Sequence, residues 1–337
     1  AGGAGKTGFG GAVAVNTVGG GAVAEVLGGE ITADTVTISA IETNEIWSLG
    51  GALSLGRKTA VGGAVTVNTI TAETAARLND ATVLGRTNLG AVTVTGSSTS
   101  TIGTIAIAGA AAKESTGVGV GVAVNVIDAD ATSSIAGSTV TDADAVSALA
   151  ISNRTIQSLA GGIAAAGKSA AGFGATVNIM TGTSTIASLD RSNITGAASI
   201  TVDADSTGQI DSIAAAISLS KNTAIGGAAT VNVSDAVTRA SASNATLDAS
   251  GAIDVDAMDT VQINSLAGQI SGSKGSAIGA AISANVIGHT VEAISDTSDL
   301  TSGGGGIEIA ARSEADINTL AAAVGISGNA SINGSVT

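Results

Sequence analysis

No proline, cysteine or tyrosine occurs in the 337 residues, and the remaining aromatic side chains are one tryptophan and two phenylalanines. The lack of cysteine excludes disulfides, thiolate metal sites and cysteine nucleophiles together. The lack of proline leaves no residue that would delete a ladder hydrogen bond from a central strand. With so few rings, the core has to be built from small and branched aliphatic side chains. Basic residues are also scarce, 13 against 27 acidic ones, for a formal net charge of −14. Nucleic acid is excluded as a partner, because neutralising phosphates needs a clustered basic face. No apolar run approaches the roughly 18 residues of a membrane-spanning helix, so no membrane-spanning segment is expected.

What the chain does have is 48 glycines with much alanine, serine, threonine and valine, spread evenly from end to end. Such a composition calls for a search for repeats. An anchor I-x-[ST]-[LI] recurs at Ile46, Ile102, Ile156, Ile210, Ile263 and Ile317, spaced by 56, 54, 54, 53 and 54 residues. About ten residues after most anchors comes a lysine turn and then a glycine-alanine-valine strand, as in "GRKTAVGGAVTVN" from Gly56 and "SKNTAIGGAATVN" from Ser220. The array covers residues 1–337 as one continuous body, read as a mature product or a piece of a longer protein.

The repeat decides how to read "GGIAAAGKSAAG", Gly161–Gly172, which contains the nucleotide-binding pattern G-x-x-x-x-G-K-[ST]. Lys168 has equivalents at Lys6, Lys58, Lys113, Lys221 and Lys274, and these six are all the lysines present. The preceding glycine is absent from most copies, and a strand pattern follows where a phosphate cradle needs a helix N-terminus. The nucleotide reading therefore falls.

Each repeat also contains two similar halves: "GAASITVDA" from Gly196, "GAATVNVSDA" from Gly227 and "GAIDVDA" from Gly251, at offsets of 31 and 24. Ile200, Val202 and Ala204 alternate with Thr201, Asp203 and Asp205, which specifies a strand with one buried face. Further on the apolar phase shifts to Ile213, Ala215, Ile217 and Leu219, which predicts a bend or bulge. The expected fold is all-β: an elongated β-solenoid, or parallel β-helix, of about six repeats, each forming two coils. Roughly twelve coils at about 4.8 Å give a rod on the order of 60 Å long, with a thin core of alanine and glycine. Stacked antiparallel β-hairpins are the alternative.

Four features are candidates for chemistry. Lys58, Lys113, Lys168, Lys221 and Lys274 would form a cationic ridge, about 9.6 Å apart if two coils separate them. The ridge suits an anionic glycan or a neighbouring copy's carboxylates, or simply blunts an edge at a turn. Acidic pairs recur at Asp128/Asp130, Asp142/Asp144, Asp203/Asp205, Asp254/Asp256 and Asp296/Asp299. Side chains at i and i+2 share a strand face, so Asp203, Asp205, Asp254 and Asp256 are weak candidates for a structural calcium, with a solvated acidic face as the plain reading. No other cofactor is expected. His289, the only histidine, has no His or Cys neighbour in sequence and is expected as a partly exposed strand residue. Trp47 occupies a column filled elsewhere by Gly103, Gln157, Asp211, Asn264 and Asn318, and so should point outward, where a ring can stack on a sugar or a partner.

The unit I-x-S-L-A-G-x-I-S-x-S-K-x-T-A-I-G-G-A-V-x-V-N, followed by two further strand patterns, resembles the repeats of very large leukotoxin-type filamentous adhesins and related β-strand-repeat proteins of Gram-negative bacteria. The resemblance implies secretion, display at the cell surface, and adhesion or toxin activity, and it supplies no catalytic residues. The expected function is that of an extracellular structural and adhesive repeat protein, not an enzyme. Its expected partners are itself, through head-to-tail or lateral contacts, and surface glycans. A secreted carbohydrate-active β-helix enzyme is the alternative, although its single cleft of acids and rings finds no counterpart in departures from the repeat that are single residues.

Overall fold

The computed structural model describes residues 5–85 and 89–337. The described residues form two parallel sheets that run the length of the coil stack. One, sheet A, holds Val36–Gly56, Leu89–Ala112, Ala143–Ala166, Ser199–Ser220, Ile253–Ser273 and Ile307–Ser327. The other, sheet B, holds Thr7–Thr32, Thr59–Leu84, Thr116–Ala136, Ser169–Asp190, Thr223–Ser243, Ser276–Asp296 and Ala330–Val336, plus four short segments at one edge. The chain alternates between the sheets, crossing at the lysine turn on one side and at a two-step corner on the other. Parallel pairing excludes the antiparallel hairpin stack.

The register corrects the coil count. Ile200 pairs with Val146 on one side and Ile253 on the other, and Ala60 pairs with Gly117, so hydrogen-bonded neighbours are a full repeat apart. Each repeat is one coil, and its two halves are the two faces of that coil rather than two coils. The stack is therefore about 30 Å high along the coil axis, while each 21-residue strand runs about 70 Å across it. The body is a broad slab and not a 60 Å rod. The half-repeats resemble each other because both sheets obey the same inward–outward alternation around the same narrow space.

The phase shift is not a bend either. Ser199–Ser220 continues as one strand with strict alternation. Ser212, Ala214, Ala216 and Ser218 take the inward positions, so Ile213, Ala215, Ile217 and Leu219 face outward. The apolar residues change sides because the space between the sheets narrows toward the lysine turns. A Cβ on Gly172 would lie 2.7 Å from the carbonyl oxygens of Gly162 and Ile217, and one on Gly117 would lie 2.8 Å from that of Ala165. Backbone nearly touches backbone there, and the inward positions hold mainly glycine, alanine and serine, with Gln269 fitted in where Gly226 and Gly279 face it. The glycines of the apparent nucleotide loop serve this close approach.

Away from the turns the core widens in zones. Next to the alanine zone stands a ladder of asparagines, one per coil: Asn16 donates to Asn68 at 2.8 Å, Asn68 to Asn125 at 2.9 Å, Asn125 to Asn178 at 2.8 Å, Asn178 to Asn232 at 2.7 Å and Asn232 to Asn285 at 2.7 Å. Hydroxyls of sheet A complete it, with Thr104 donating to Asn125 at 2.7 Å and Asn178 donating to Ser158 at 2.8 Å. Beyond the ladder, the anchors Ile102, Ile156, Ile210 and Ile263 pack against Ile70, Ile127 and Met180. A wider cluster of Val, Leu, Ile and Ala follows, including Val146, Ile200, Leu78 and Leu189. At the corner a column of left-handed residues turns the chain: Asp80, Gly137, Arg191, Asn244 and Thr297 have φ near 50–60°. Four are not glycine and carry the modest strain of that region, a cost tolerated where every neighbouring coil makes the same turn.

Candidate functional site

The lysine turns form one edge of the slab. Their backbones stack coil on coil, with Lys58 N donating to Lys6 O at 2.8 Å and Gly275 N to Lys221 O at 3.0 Å. Consecutive lysines are thus one coil apart, about 4.8 Å rather than 9.6 Å, and the ridge of Lys58, Lys113, Lys168, Lys221 and Lys274 is twice as dense as expected. Arg57 adds to it and sits 3.5 Å from Glu114 of the next turn. Beside the ridge on sheet A lies a groove of about 790 Å³, floored by Ala111 and Ala165, walled by Leu55 and Leu219 and rimmed by Lys113 and Lys221. Such an edge can attract anions while offering an apolar floor.

Trp47 faces outward as its column predicts, 67% exposed, with its ring over Gly103 of the next coil, where any Cβ would collide with it. The rest of the column is a polar ladder: Asn264 donates to Asp211 at 2.8 Å and Asn318 to Asn264 at 3.2 Å. This ladder is a boundary. On the corner side the outer face of sheet A is polar and acidic, and on the lysine side it is apolar.

The five acidic pairs are not equivalent in space. Asp142 is itself a left-handed corner residue, Asp296 and Asp299 flank the turn between their strands, and Asp130 accepts both the amide and the hydroxyl of Ser184 at 2.7 Å. Only Asp203/Asp205 and Asp254/Asp256 stack, with Asp203 opposite Asp256 and Thr201 opposite Asp254 on the outer face of sheet A. Burial, then Asp205 and Asp256, push the Asp203 carboxyl above its ordinary range. Burial and Asp259 do the same to Asp205. Burial and Glu308 raise Asp256, against the pull of Arg312 at 3.6 Å. Asp203, Asp205 and Asp256 are the carboxylates best placed to share a cation, but among the described residues no group of three or more acidic or histidine side chains converges in metal-binding geometry.

These shifts fix a pH dependence. Carboxyls raised in the folded state favour folding below their ordinary value, and that contribution is lost as pH rises through the folded value. The melting midpoint should therefore fall as pH climbs from about 4 toward neutrality. At pH 7, Asp203→Asn should stabilise by on the order of 0.5–1 kcal/mol, discounted for exposure, with no gain below about pH 4. Calorimetry of both proteins across that range checks it, and equal midpoints at pH 7 would remove the acidic strain.

A second cluster, not foreseen as such, is buried. Arg154, 1% exposed, points inward where the next coil has Gly208. Its guanidinium donates to Thr183 and, at 2.6 Å, to Ser206. Burial pushes the guanidinium down while Asp259 and Asp130 push it up. His289 is a strand residue of intermediate burial, partly exposed as expected, but its side chain is only 3% exposed and pairs with the fully buried Asp259 through Nδ1, while Nε2 lies 2.8 Å from Ser234. Arg154 bonds Ser206 of the next coil, whose register partner is Asp259 in the coil after that, so this buried polar cluster spans three coils. Sequence inspection missed it because 105 residues separate Arg154 from Asp259; the signal was two charged residues in inward columns, Asp259 in one that holds Ser98, Ser152, Ser206 and Ser313 and Arg154 in one that holds Asn44, Ser100, Gly208, Val261 and Ala315. The asparagine ladder was missed too, although its signal, an asparagine at the same position of six sheet B strands, after valine in five and after Ala284 in the sixth, was plain.

No helix among the described residues is long and apolar enough to cross a membrane. Comparison of the chain with protein-family models, with curated proteins and with solved structures gives no match.

Proposed function

We propose that the chain is an extracellular structural and adhesive repeat segment, in which the coil stack sets reach and stiffness and the outward columns provide contact. The observation that carries this reading is the parallel, full-repeat register of every repeat with the next, unbroken in sheet A and shifted between the long strands of sheet B only at Ile127–Ala131 and Ser234–Ala236, reinforced by the asparagine ladder through six coils. Each coil is stabilised by its neighbours, as in other solenoids. A parallel β-solenoid of this kind is compatible with a mechanical role, and the lysine turns repeat one chemistry from coil to coil. The strands at the two ends of the stack pair on one side only, an edge that suits either the next coil of a longer array or another copy. The lysine ridge and Trp47 are the surfaces offered to surface glycans or to a neighbouring copy.

Electron microscopy of the purified chain over a dilution series tests this reading, with and without a calcium chelator. Fibres that lengthen with concentration and show a 4.8 Å axial repeat are expected. Particles of constant size at all dilutions would remove axial self-assembly, and shortening by the chelator would place a cation in the acidic face.

A further inference from the structure

The shift of apolar residues to the outside leaves a surface that the proposed axial stacking does not cover. On the lysine side of the boundary, the outer face of sheet A presents four outward rows. The first holds Leu49, Ile105, Leu159, Ile213, Leu266 and Leu320, aligned by the strand register. Two rows further on stand Leu53, Ile163, Ile217, Ile270 and Val324, with Gly109 in the remaining coil. The row between is small in five of the six coils, with glycine at Gly51, Gly161 and Gly268, and carries Ile107 in the coil whose second ridge has Gly109, so two ridges flank a groove that Ile107 interrupts once. Leu49 is 74% exposed, Leu53 53% and Leu320 55%. Four rows about 6.7 Å apart and six coils about 4.8 Å apart make a patch of about 800 Å². That exceeds the roughly 300–600 Å² of the largest patch on a typical monomer and equals the share one partner contributes to a standard interface.

We propose that a second copy of the chain packs on this face, sheet A against sheet A, about a two-fold axis parallel to the direction of coil stacking. That operator lays each coil against its own counterpart and the ridges of each copy beside the glycine row of the other. It also carries each lysine edge over the polar ladder that bounds the partner's patch. The strand spacing then sets Lys221 opposite Asp211, Lys274 opposite Asn264, and Arg57 opposite the Trp47 and Glu45 end of the ladder, so the cationic edge of an acidic chain meets its acidic boundary. Because the axis runs along the stack, both ends stay open in the same direction, and the pair is a distinct interface from any axial one. The outer face of sheet B near the turns is also apolar, with Phe173, Ile225, Ile278 and Ile282 36–48% exposed among valines and glycines such as Val61, Gly63 and Val65; what favours sheet A is the polar ladder with Asp211 that lies where the partner's lysine edge arrives.

Sedimentation equilibrium of the full chain, alongside the double variant Ile163→Asp with Ile217→Asp, tests the proposal. Both residues point away from the core, so the far-UV spectrum and melting midpoint of the variant serve as folding controls. The chain is expected as a dimer or even multiples of it, and the variant at half that mass with association weakened at least about 100-fold. If the variant melts early, cross-linking decides instead, since the chain has no native cysteine. A mixture of Ala215→Cys and Ile217→Cys chains should form the mixed disulfide well ahead of chains carrying Val231→Cys on sheet B. A chain that stays monomeric at all concentrations, or cross-links equally through sheet B, overturns the proposal. So does a monomer that floats with anionic phospholipid vesicles through this face, which would put a bilayer there; an open-ended mass distribution unaffected by the double variant would leave only axial association.

Discussion

Replacing Gly172 by valine is expected to destabilise the protein by at least about 3 kcal/mol, the range of severe overpacking. The Cβ alone would lie 2.7 Å from the carbonyl oxygens of Gly162 and Ile217 and 3.0 Å from the Ser218 hydroxyl that accepts the Gly172 amide. Neither sheet can yield locally, because each carbonyl is fixed in a ladder that continues through the coils above and below. Gly63→Ala is the matched control: a Cβ there meets nothing within 4 Å. It should be neutral or stabilise by about 0.4–1 kcal/mol through the unfolded chain. Urea unfolding of the two variants measures the contrast, and equal midpoints would mean that the sheets are not in backbone contact beside the lysine turns.

Cutting the asparagine ladder has the second large effect. Asn178→Ala removes the acceptor of Asn125 at 2.8 Å and the donor to Asn232 at 2.7 Å and to Ser158 at 2.8 Å. All of these groups are buried, so they lose their partners with no water to replace them. At roughly 1–3 kcal/mol for a stranded polar group, a total of about 2–4 kcal/mol is expected. Asn16→Ala at the end of the ladder strands only Asn68, which keeps Thr104 and Asn125, and should cost about 1 kcal/mol or less. Equilibrium denaturation of both variants reads the difference, and equal small losses would reduce the ladder to a set of independent contacts.

The repeat, the all-β parallel architecture, the thin alanine-glycine core and the outward Trp47 column could all be read from the sequence, because each depends on side-chain alternation and recurrence. Two other features depend on which strands are neighbours, and alternation does not encode that. Two strands facing each other across a narrow core carry the same pattern as two strands stacked edge to edge, so "GAASITVDA" and "GAATVNVSDA" looked like successive coils when they are opposite faces of one coil. The discriminating signal was present: Asn16, Asn68, Asn125, Asn178, Asn232 and Asn285 recur only at the full repeat, and a buried amide ladder needs identical residues on hydrogen-bonded neighbours. The apolar run from Ile213 to Leu219 misled for a related reason. Alternation gives the period of a strand but not which phase faces in, and here the inward phase is set by how closely the backbones approach. The same logic hid Arg154, Asp259 and His289, since a lone charge in a sequence column reads as solvated until the column is known to face the core.

The claim on which the rest depends is that one repeat makes one coil. Spin labels on Thr93→Cys and Ser147→Cys test it most directly. These residues lie 54 apart in sequence and are register partners on the outer face of sheet A, with the Ser147 hydroxyl 3.3 Å from that of Thr93. Labels about 5 Å apart on adjacent strands should collapse the spectrum of the doubly labelled chain into a single exchange-narrowed line. A dipolar-broadened spectrum corresponding to about 10 Å would insert a second coil between them and contradict the fold described.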